Sequence, residues 1–324
     1  MARRREHGVN TRFAVAVLNW NGAEVLPAML RSVLPQVEEL GGRLIVLDNG
    51  STDSSADDIE REFGDTGCFS LLRSPANLGF SRGANLLLQE INEEIAVLAN
   101  SDTVFLKNSL KTLLEAFQRH ERAGLIGPML LWPEGELQPS MRDFPFPGKL
   151  IREHLPIIRR GSAKYGGHCT ERRADWLVGA VMAIRMEAFR STGGFDERYF
   201  IYHEETDLQY RMSQRGWEIW FVPDAKVVHV EGASTRKMYG RTSYLQYIPA
   251  KLRFLRKNGY SGSVSMFRVY MLILQMTRLL IGCVNSRKRN SDVRYTPSYC
   301  RRALSLIWTR DSGKQAAPEK MEVE

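Results

Sequence analysis

Short apolar runs alternate with amphipathic stretches through the first 131 residues. "FAVAVLNW" (13–20) reads as a strand and 24–34 as a helix; "RLIVLDNG" (43–50) is a second strand, with a helix at 54–63. "FSLLRS" (69–74), a helix at 81–91, "EIAVLAN" (94–100), a helix at 107–120 and "GLIGPMLL" (124–131) continue the alternation. Strands with nearly unbroken apolar character, spaced by helices, predict an α/β fold with a mostly parallel sheet covered on both faces.

The stretch 132–174 contains Pro133, Pro139, Pro145, Pro147 and Pro156 and has no clear period, so it reads as a long excursion. Structure resumes at "ADWLVGAVMAIR" (174–185), followed by a helix from Met186 and a turn at Gly193-Gly194. A helix at 205–215 and strands at 218–222 and 226–230 come next. There is no internal repeat. This divides the chain into a basic arm (1–12), an α/β domain (13–235) and a C-terminal region (236–310). The proline-bearing excursion splits that domain into 13–131 and 175–235. The polar end (311–324) reads as a disordered tail.

Charge changes this picture only in the C-terminal region. Residues 236–310 hold sixteen Lys and Arg against one acid, Asp292, or +15. With a net charge of +8, the rest carries 8 − 15 = −7. The basic character is therefore regional and calls for an anionic partner there. The four cysteines are scattered, with no close pair to suggest a zinc or redox motif, which suits reduced thiols in a cytosolic protein. No apolar run follows "MARRREHGVNTR" before the first strand, so no secretory signal is expected.

In open parallel sheets, ligands sit beyond the carboxyl ends of the strands. Here strand one ends in Asn19-Trp20-Asn21-Gly22, strand two in Asp48-Asn49-Gly50-Ser51 and the fourth in Asn100-Ser101-Asp102. Each end alone is ordinary helix-capping chemistry, Asn-Ser-Asp-Thr before the 107–120 helix included. Three on one edge suggest a crevice lined with hydrogen-bonding groups. "NLGFSRGAN" (77–85) adds two glycines but is not the dinucleotide fingerprint. "YHEETDLQYR" (202–211) gathers Glu204, Glu205 and Asp207 where a helix begins; acids also favour a helix N-terminus for dipole reasons. His229 stands inside an apolar strand, either as a satisfied core residue or, with Asp102, as a ligand to a divalent cation.

Seven segments resemble, in consistent order from 13 to 235, the family-2 glycosyltransferases of GT-A fold, in particular the bacterial rhamnosyltransferase-like branch. They are "VAVLNWNG", "LIVLDNGSTDSS", "NLGFSRGAN", "LANSDT", "WLVGAVMAIRMEAFRSTGGFDERYF", "HEETDLQYRMSQRGW" and "VVHVEGAST". The resemblance implies a GT-A Rossmann-like sheet, with 13–131 as a nucleotide-binding half and 175–235 as an acceptor and catalytic half. It also implies inverting transfer from a nucleoside-diphosphate sugar, dTDP- or UDP-linked, to a glycan or lipid-linked acceptor. It implies donor contacts at Asn19, Asn21, Asp48, Arg82, Asn85, Asn100, Ser101 and Asp102. Asp102 and His229 would hold Mg²⁺ or Mn²⁺. The acidic cluster would supply the catalytic base, here assigned to Glu205 with Glu204 and Asp207 as alternatives. Two departures stand out: the family's base is usually Asp where this chain has Glu205, and its first metal-motif acid is Asn100 here. The altered base keeps open a catalytically inactive nucleotide-sugar or glycan-binding protein. A sugar-phosphate nucleotidyltransferase would want a basic glycine-rich loop after strand one, and "NWNGAEVLP" has none.

"VSMFRVYMLILQMTRLLIGCV" (264–284) is long enough to span a bilayer, which needs about 20 residues. Arg268, Gln275 and Arg278 interrupt it on one side, and basic segments flank it. It reads as an in-plane helix on an anionic leaflet, or else as a core helix of a globular extension. The expected location is cytoplasmic, peripheral at the inner face of the plasma membrane. No nucleic-acid recognition motif is present.

Overall fold

The computed structural model describes residues 11–146, 149, 167–230, 243–285 and 292–308. The basic arm up to residue 10, the segment 231–242 and the tail 311–324 lie outside the described residues. The chain forms two compact units. The first comprises 1–143, 163–196 and 205–231; the second comprises 144–162, 197–204 and 232–324.

In the first unit the elements run β1 (Phe13–Asn19), α1 (Leu26–Leu40), β2 (Arg43–Asp48), α2 (Ser55–Phe63), β3 (Phe69–Arg73), α3 (Phe80–Gln89), β4 (Ile95–Asn100) and β5 (Thr103–Phe105). They continue with α4 (Ser109–Arg119), β6 (Ala123–Leu131), β7 (Leu137–Gln138), β8 (Met141–Arg142), β9 (Arg172–Arg173), β10 (Trp176–Leu177) and β11 (Val181–Arg185). Then come α5 (Met186–Thr192), α6 (Glu204–Gln214, whose first residue belongs to the second unit) and β12 (Glu218–His229). The main sheet has the order β3-β2-β1-β4-β11-β6-β12-β5. Strands β3, β2, β1 and β4 are parallel, and β11 enters antiparallel between β4 and β6. The sheet is therefore mostly parallel at its centre, with β11 reversed where a run of parallel neighbours was expected and β5, β7 and β9 pairing antiparallel at its margins.

Apolar residues on alternate sides of β1 feed two cores. Phe13, Val15 and Val17 pack with Leu26, Met29, Leu30, Val33 and Val37 of α1, while Ala14 and Ala16 face Ala84, Leu87 and Leu88 of α3. The α1 positions recur every three or four residues, which is the buried stripe of an amphipathic helix. That helix stops at Gly41, whose φ of 69° favours glycine.

Three expectations change. The segments 218–222 and 226–230 form one strand, β12, with a register shift between Val222 and Lys226. The excursion contains the paired strands β7, β8 and β9. Asn-Ser-Asp-Thr does not cap α4: β5 intervenes, the cap position is Asn108, and the Leu110 N–H is taken by Gln36 Oε1 at 3.1 Å.

In the second unit, α7 (Ser243–Lys257), α8 (Ser261–Val284) and α9 (Pro297–Ile307) pack together, with a 3₁₀ turn at Val293–Tyr295 before α9.

Candidate active site

Strand register brings the polar ends together. Asn19 pairs with Asp48 across β1 and β2, and Leu18 pairs with Asn100 across β1 and β4. The fully buried Asn19 donates from Nδ2 to Asp48 Oδ1 (3.2 Å), Ser51 Oγ (3.3 Å) and Ser55 Oγ (2.9 Å). It is thus a strut of this edge. Asn21 has a left-handed φ of 52°, and its side-chain oxygen accepts from the Thr52 N–H at 2.7 Å. The turn needs Gly22, since a Cβ there would lie 2.1 Å from Asn19 Oδ1 and 3.4 Å from Ser101 Oγ.

The glycine-bearing loop is held from the same edge. Asn49 donates to Asn77 Oδ1 (3.3 Å) and the Gly79 carbonyl (3.2 Å), and accepts from the Leu78 N–H (3.0 Å). Arg82 is exposed at the start of α3. Asn85 is occupied differently: its amide donates to the Phe195 carbonyl (2.9 Å) and accepts from the Phe195 N–H (2.8 Å). Both amide atoms reach backbone 110 residues away, so Asn85 clamps α3 to the 193–196 turn.

Ser101 and Asp102 are buried, and Asp102 Oδ1 lies 3.5 Å from His229 Nε2. The antiparallel register of β5 and β12, which sets His229 opposite Thr103, brings them together. His229 Nδ1 lies 2.9 Å from Gln138 Oε1, an atom that only accepts, so Nδ1 donates to it and Nε2 is the ring nitrogen turned toward Asp102. A carboxylate oxygen and an imidazole nitrogen, one of them braced from behind, fit Mg²⁺ or Mn²⁺. No group of three or more His, Cys, Asp or Glu able to hold an ion exists among the described residues.

The three acids differ sharply. Asp207 is fully buried and bound to Arg211 Nε at 2.7 Å, while Arg211 also reaches the Thr192 carbonyl at 2.7 Å. Glu204 is buried and belongs to the second unit. Glu205 is half-buried overall, but its Oε2 is enclosed without a hydrogen-bond partner. Burial pushes its carboxyl up to about 7, opposed by the Glu205 and Thr206 N–H groups and by the charge of Arg142. Gly179 makes room for it, since a Cβ there would stand 3.3 Å from Glu205 Cβ. The next residue, Ala180, accepts the Asn100 N–H through its carbonyl at 2.9 Å. One short segment, 179–180, thus touches both Glu205 and the end of β4.

Comparison with known proteins shows the family of the chain. The model of glycosyltransferase-like family 2 matches residues 11–243, most of the chain. The chain belongs to that family. A relative, the N-acetylglucosaminyl-diphospho-decaprenol L-rhamnosyltransferase of Mycobacterium tuberculosis, is 32% identical over 213 residues, covering 59% of this chain and 67% of the relative. The rhamnosyltransferase WbbL of Escherichia coli is 25% identical over 118 residues, 36% of this chain and 44% of the relative. The fold is also that of the Pyrobaculum calidifontis mannosyltransferase PcManGT, solved with GDP-Man and Mn²⁺ (TM-score 0.54, 14% identity, 92% and 87% of the two chains). GalNAc-T7, solved with UDP, GalNAc and Mn²⁺, shares it too (TM-score 0.57, 15% identity), although this chain covers 48% of that one. GT-A is therefore the architecture of this family-2 glycosyltransferase.

Two residues of this glycosyltransferase's site escaped the sequence reading. Gln138 lies in the proline-bearing excursion, 91 residues from the histidine it braces. Gln209, fully buried on α6, accepts from the Leu177 N–H and donates to the Leu177 carbonyl, both at 2.8 Å. It behaves as a neighbouring strand would, fixing α6 and with it Glu205 against β10. Only the placement of Gln209 one helical turn after Glu205 hinted at this.

Proposed function

We propose that this protein is an inverting, metal-dependent glycosyltransferase. It moves a sugar from a dTDP- or UDP-linked donor to a lipid-linked or glycan acceptor in cell-surface polysaccharide synthesis. Rhamnose is the sugar to try first, given the two rhamnosyltransferase relatives, and the mycobacterial relative's name supports a lipid diphosphate acceptor. Such an acceptor places the work on the cytoplasmic side, peripherally at the inner face of the plasma membrane. The observation that carries the reading is the pairing of Asp102 with His229 at 3.5 Å on the edge whose neighbouring segment packs on Glu205.

Asn21, Asp48 and the Asn100–Asp102 turn would contact the donor, with exposed Arg82 free to meet its diphosphate. Asp102 and His229 would hold the divalent ion, which when bound supplies Lewis-acid stabilisation of charge on the leaving diphosphate. Glu205 takes the acceptor hydroxyl proton as that oxygen attacks the anomeric carbon opposite the leaving group. A carboxyl near pH 7 is poised for this work, and a positioned base contributes about 10²–10⁴-fold. A second reading, a binding protein without turnover, is favoured by Glu in place of the family's Asp at 205.

Incubation of the protein with dTDP- and UDP-sugars, Mn²⁺ and lipid-diphosphate acceptors should release nucleoside diphosphate. Asp102→Ala should abolish the Mn²⁺-dependent part of nucleoside diphosphate binding with the fold intact. Equal wild-type affinity with Mn²⁺ and with EDTA would remove the metal assignment, and binding without any release would favour the second reading.

A further inference from the structure

We propose that α8 docks this protein on an anionic lipid bilayer, lying in the membrane plane rather than crossing it. The purpose of such a contact rests on the lipid-linked acceptor proposed above, while the contact itself can be measured independently. Helix α8 has 24 residues and is long and apolar enough to cross a membrane by length and composition. Its surroundings within the second unit argue otherwise.

One face of α8 is occupied. Val264, Phe267, Met271, Gln275 and Gly282 are buried where the helix packs on α7 and α9. The other face is bare. Val269, Ile273, Met276, Leu280 and Val284 are 57, 61, 48, 65 and 89% exposed, at steps of three or four residues that form one continuous stripe. Trp308, just past α9 and 67% exposed, extends the apolar surface. Arg268 holds this end, donating to the Ile307 carbonyl at 3.0 Å and stacking over the Trp308 ring at 4.7 Å. Apolar stripe, indole and guanidinium together are what an interfacial helix presents.

The orientation follows from α9. Arg268 meets Ile307, while the other end of α8 meets the start of α9: a Cβ on Gly282 would stand 2.4 Å from the Tyr295 carbonyl oxygen. The two helices therefore run antiparallel along most of α8, which sets exposed Arg301 and Arg302 beside its middle, at the level of the fully buried Gln275. A spanning α8 would carry two arginines and an amide to the bilayer centre, where charge is most costly. An in-plane α8 leaves them at headgroup depth. The occupant is set by charge. Residues 236–310 carry sixteen basic residues against one acid, so a second copy of this face would be repelled and an anionic leaflet attracted.

The full chain should co-sediment with vesicles of phosphatidylglycerol and phosphatidylcholine and only weakly with phosphatidylcholine alone. Salt should release it in part, and alkaline carbonate fully. Ile273→Glu with Leu280→Glu should lower partitioning on the order of 100-fold, from the loss of two buried apolar side chains. Its helical circular dichroism and its nucleoside diphosphate binding in solution should not change. If the double variant fails to fold, Ile273→Ala with Leu280→Ala supplies the test, with a loss on the order of tenfold. Resistance of the wild type to carbonate, undiminished binding by either folded variant, or self-association in place of vesicle binding would overturn the proposal. Failure of sugar turnover with vesicle binding intact would instead strike the function proposed above.

Discussion

The edge where β1, β2 and β4 end and the start of α6 both present carboxylates out of water, but α6 leaves one of its acids without the fixed partner that the edge supplies. Asp48 receives Asn19 and the Ser51 N–H, and Asp102 faces His229, itself braced by Gln138. Each charge at this edge has a fixed neighbour. On α6, Asp207 is tied to Arg211, yet Glu205, two residues earlier, has an enclosed oxygen with no hydrogen-bond partner and a carboxyl pushed up to about 7. A desolvated carboxyl with a value near neutral can give and take a proton there, which suits the base role proposed for Glu205. One helix thus carries a paired acid, Asp207, and a desolvated one, Glu205.

The largest effect should come from erasing that difference. Glu205→Gln keeps size and hydrogen bonding but removes proton acceptance, so turnover should fall about 10²-fold or more while donor affinity holds. In the wild type the base must be deprotonated, so turnover should drop as pH falls below about 7, and the residual turnover of the variant should lose that limb. Single-turnover kinetics across pH read both. Unchanged turnover in the variant would move the role to Glu204 or Asp207.

The donor edge should break more gently, and through its support. Gln138→Leu removes the acceptor that fixes the His229 ring while leaving Asp102 and His229 in place. Loss of such a brace typically costs about 10–100-fold in metal affinity. Mn²⁺ titration of nucleoside diphosphate binding should show that loss, with kcat at saturating metal nearly kept. If metal affinity does not change, His229 is a packed core residue and not a ligand.

These variants also mark how far the sequence could be read. The strands β1, β2 and β4 are apolar runs closed by Asn19, Asp48 and Asn100, and the chain's own period places them. Strand β5 is three residues long, too short for any period, yet it turns Asp102 toward His229 and denies it the capping role. Strand β11 is apolar like its neighbours, and nothing in its residues states that it runs antiparallel; its direction comes from the path of the chain that precedes it. Asn85 lies in a segment that resembles the family's donor loop, and its bonds to the Phe195 backbone are a contact that no local pattern announces. Gln138 and Gln209 act across 91 and 32 residues, contacts that only the folded chain creates. Local order was written locally; the braces were not.

The smallest effect concerns stability, and it tests whether burial is the cause of the Glu205 shift. Its carboxyl stands at about 7 in the folded protein against an ordinary value of 4.5, so folding favours the protonated form. Whatever stability this gives is present in full below about pH 4.5 and is lost as pH rises through about 7, where the native state must ionise a desolvated group. Glutamine at 205 never ionises. The variant should therefore match the wild type in urea midpoint under acidic conditions and exceed it modestly above pH 7, even as it loses turnover. The gain stays modest because Glu205 as a whole residue is only half-buried. Urea unfolding of both proteins on either side of neutrality measures the difference. A gap that does not vary with pH would mean that Glu205 is already satisfied as an ion in the fold, and the contrast with Asp207 would fail.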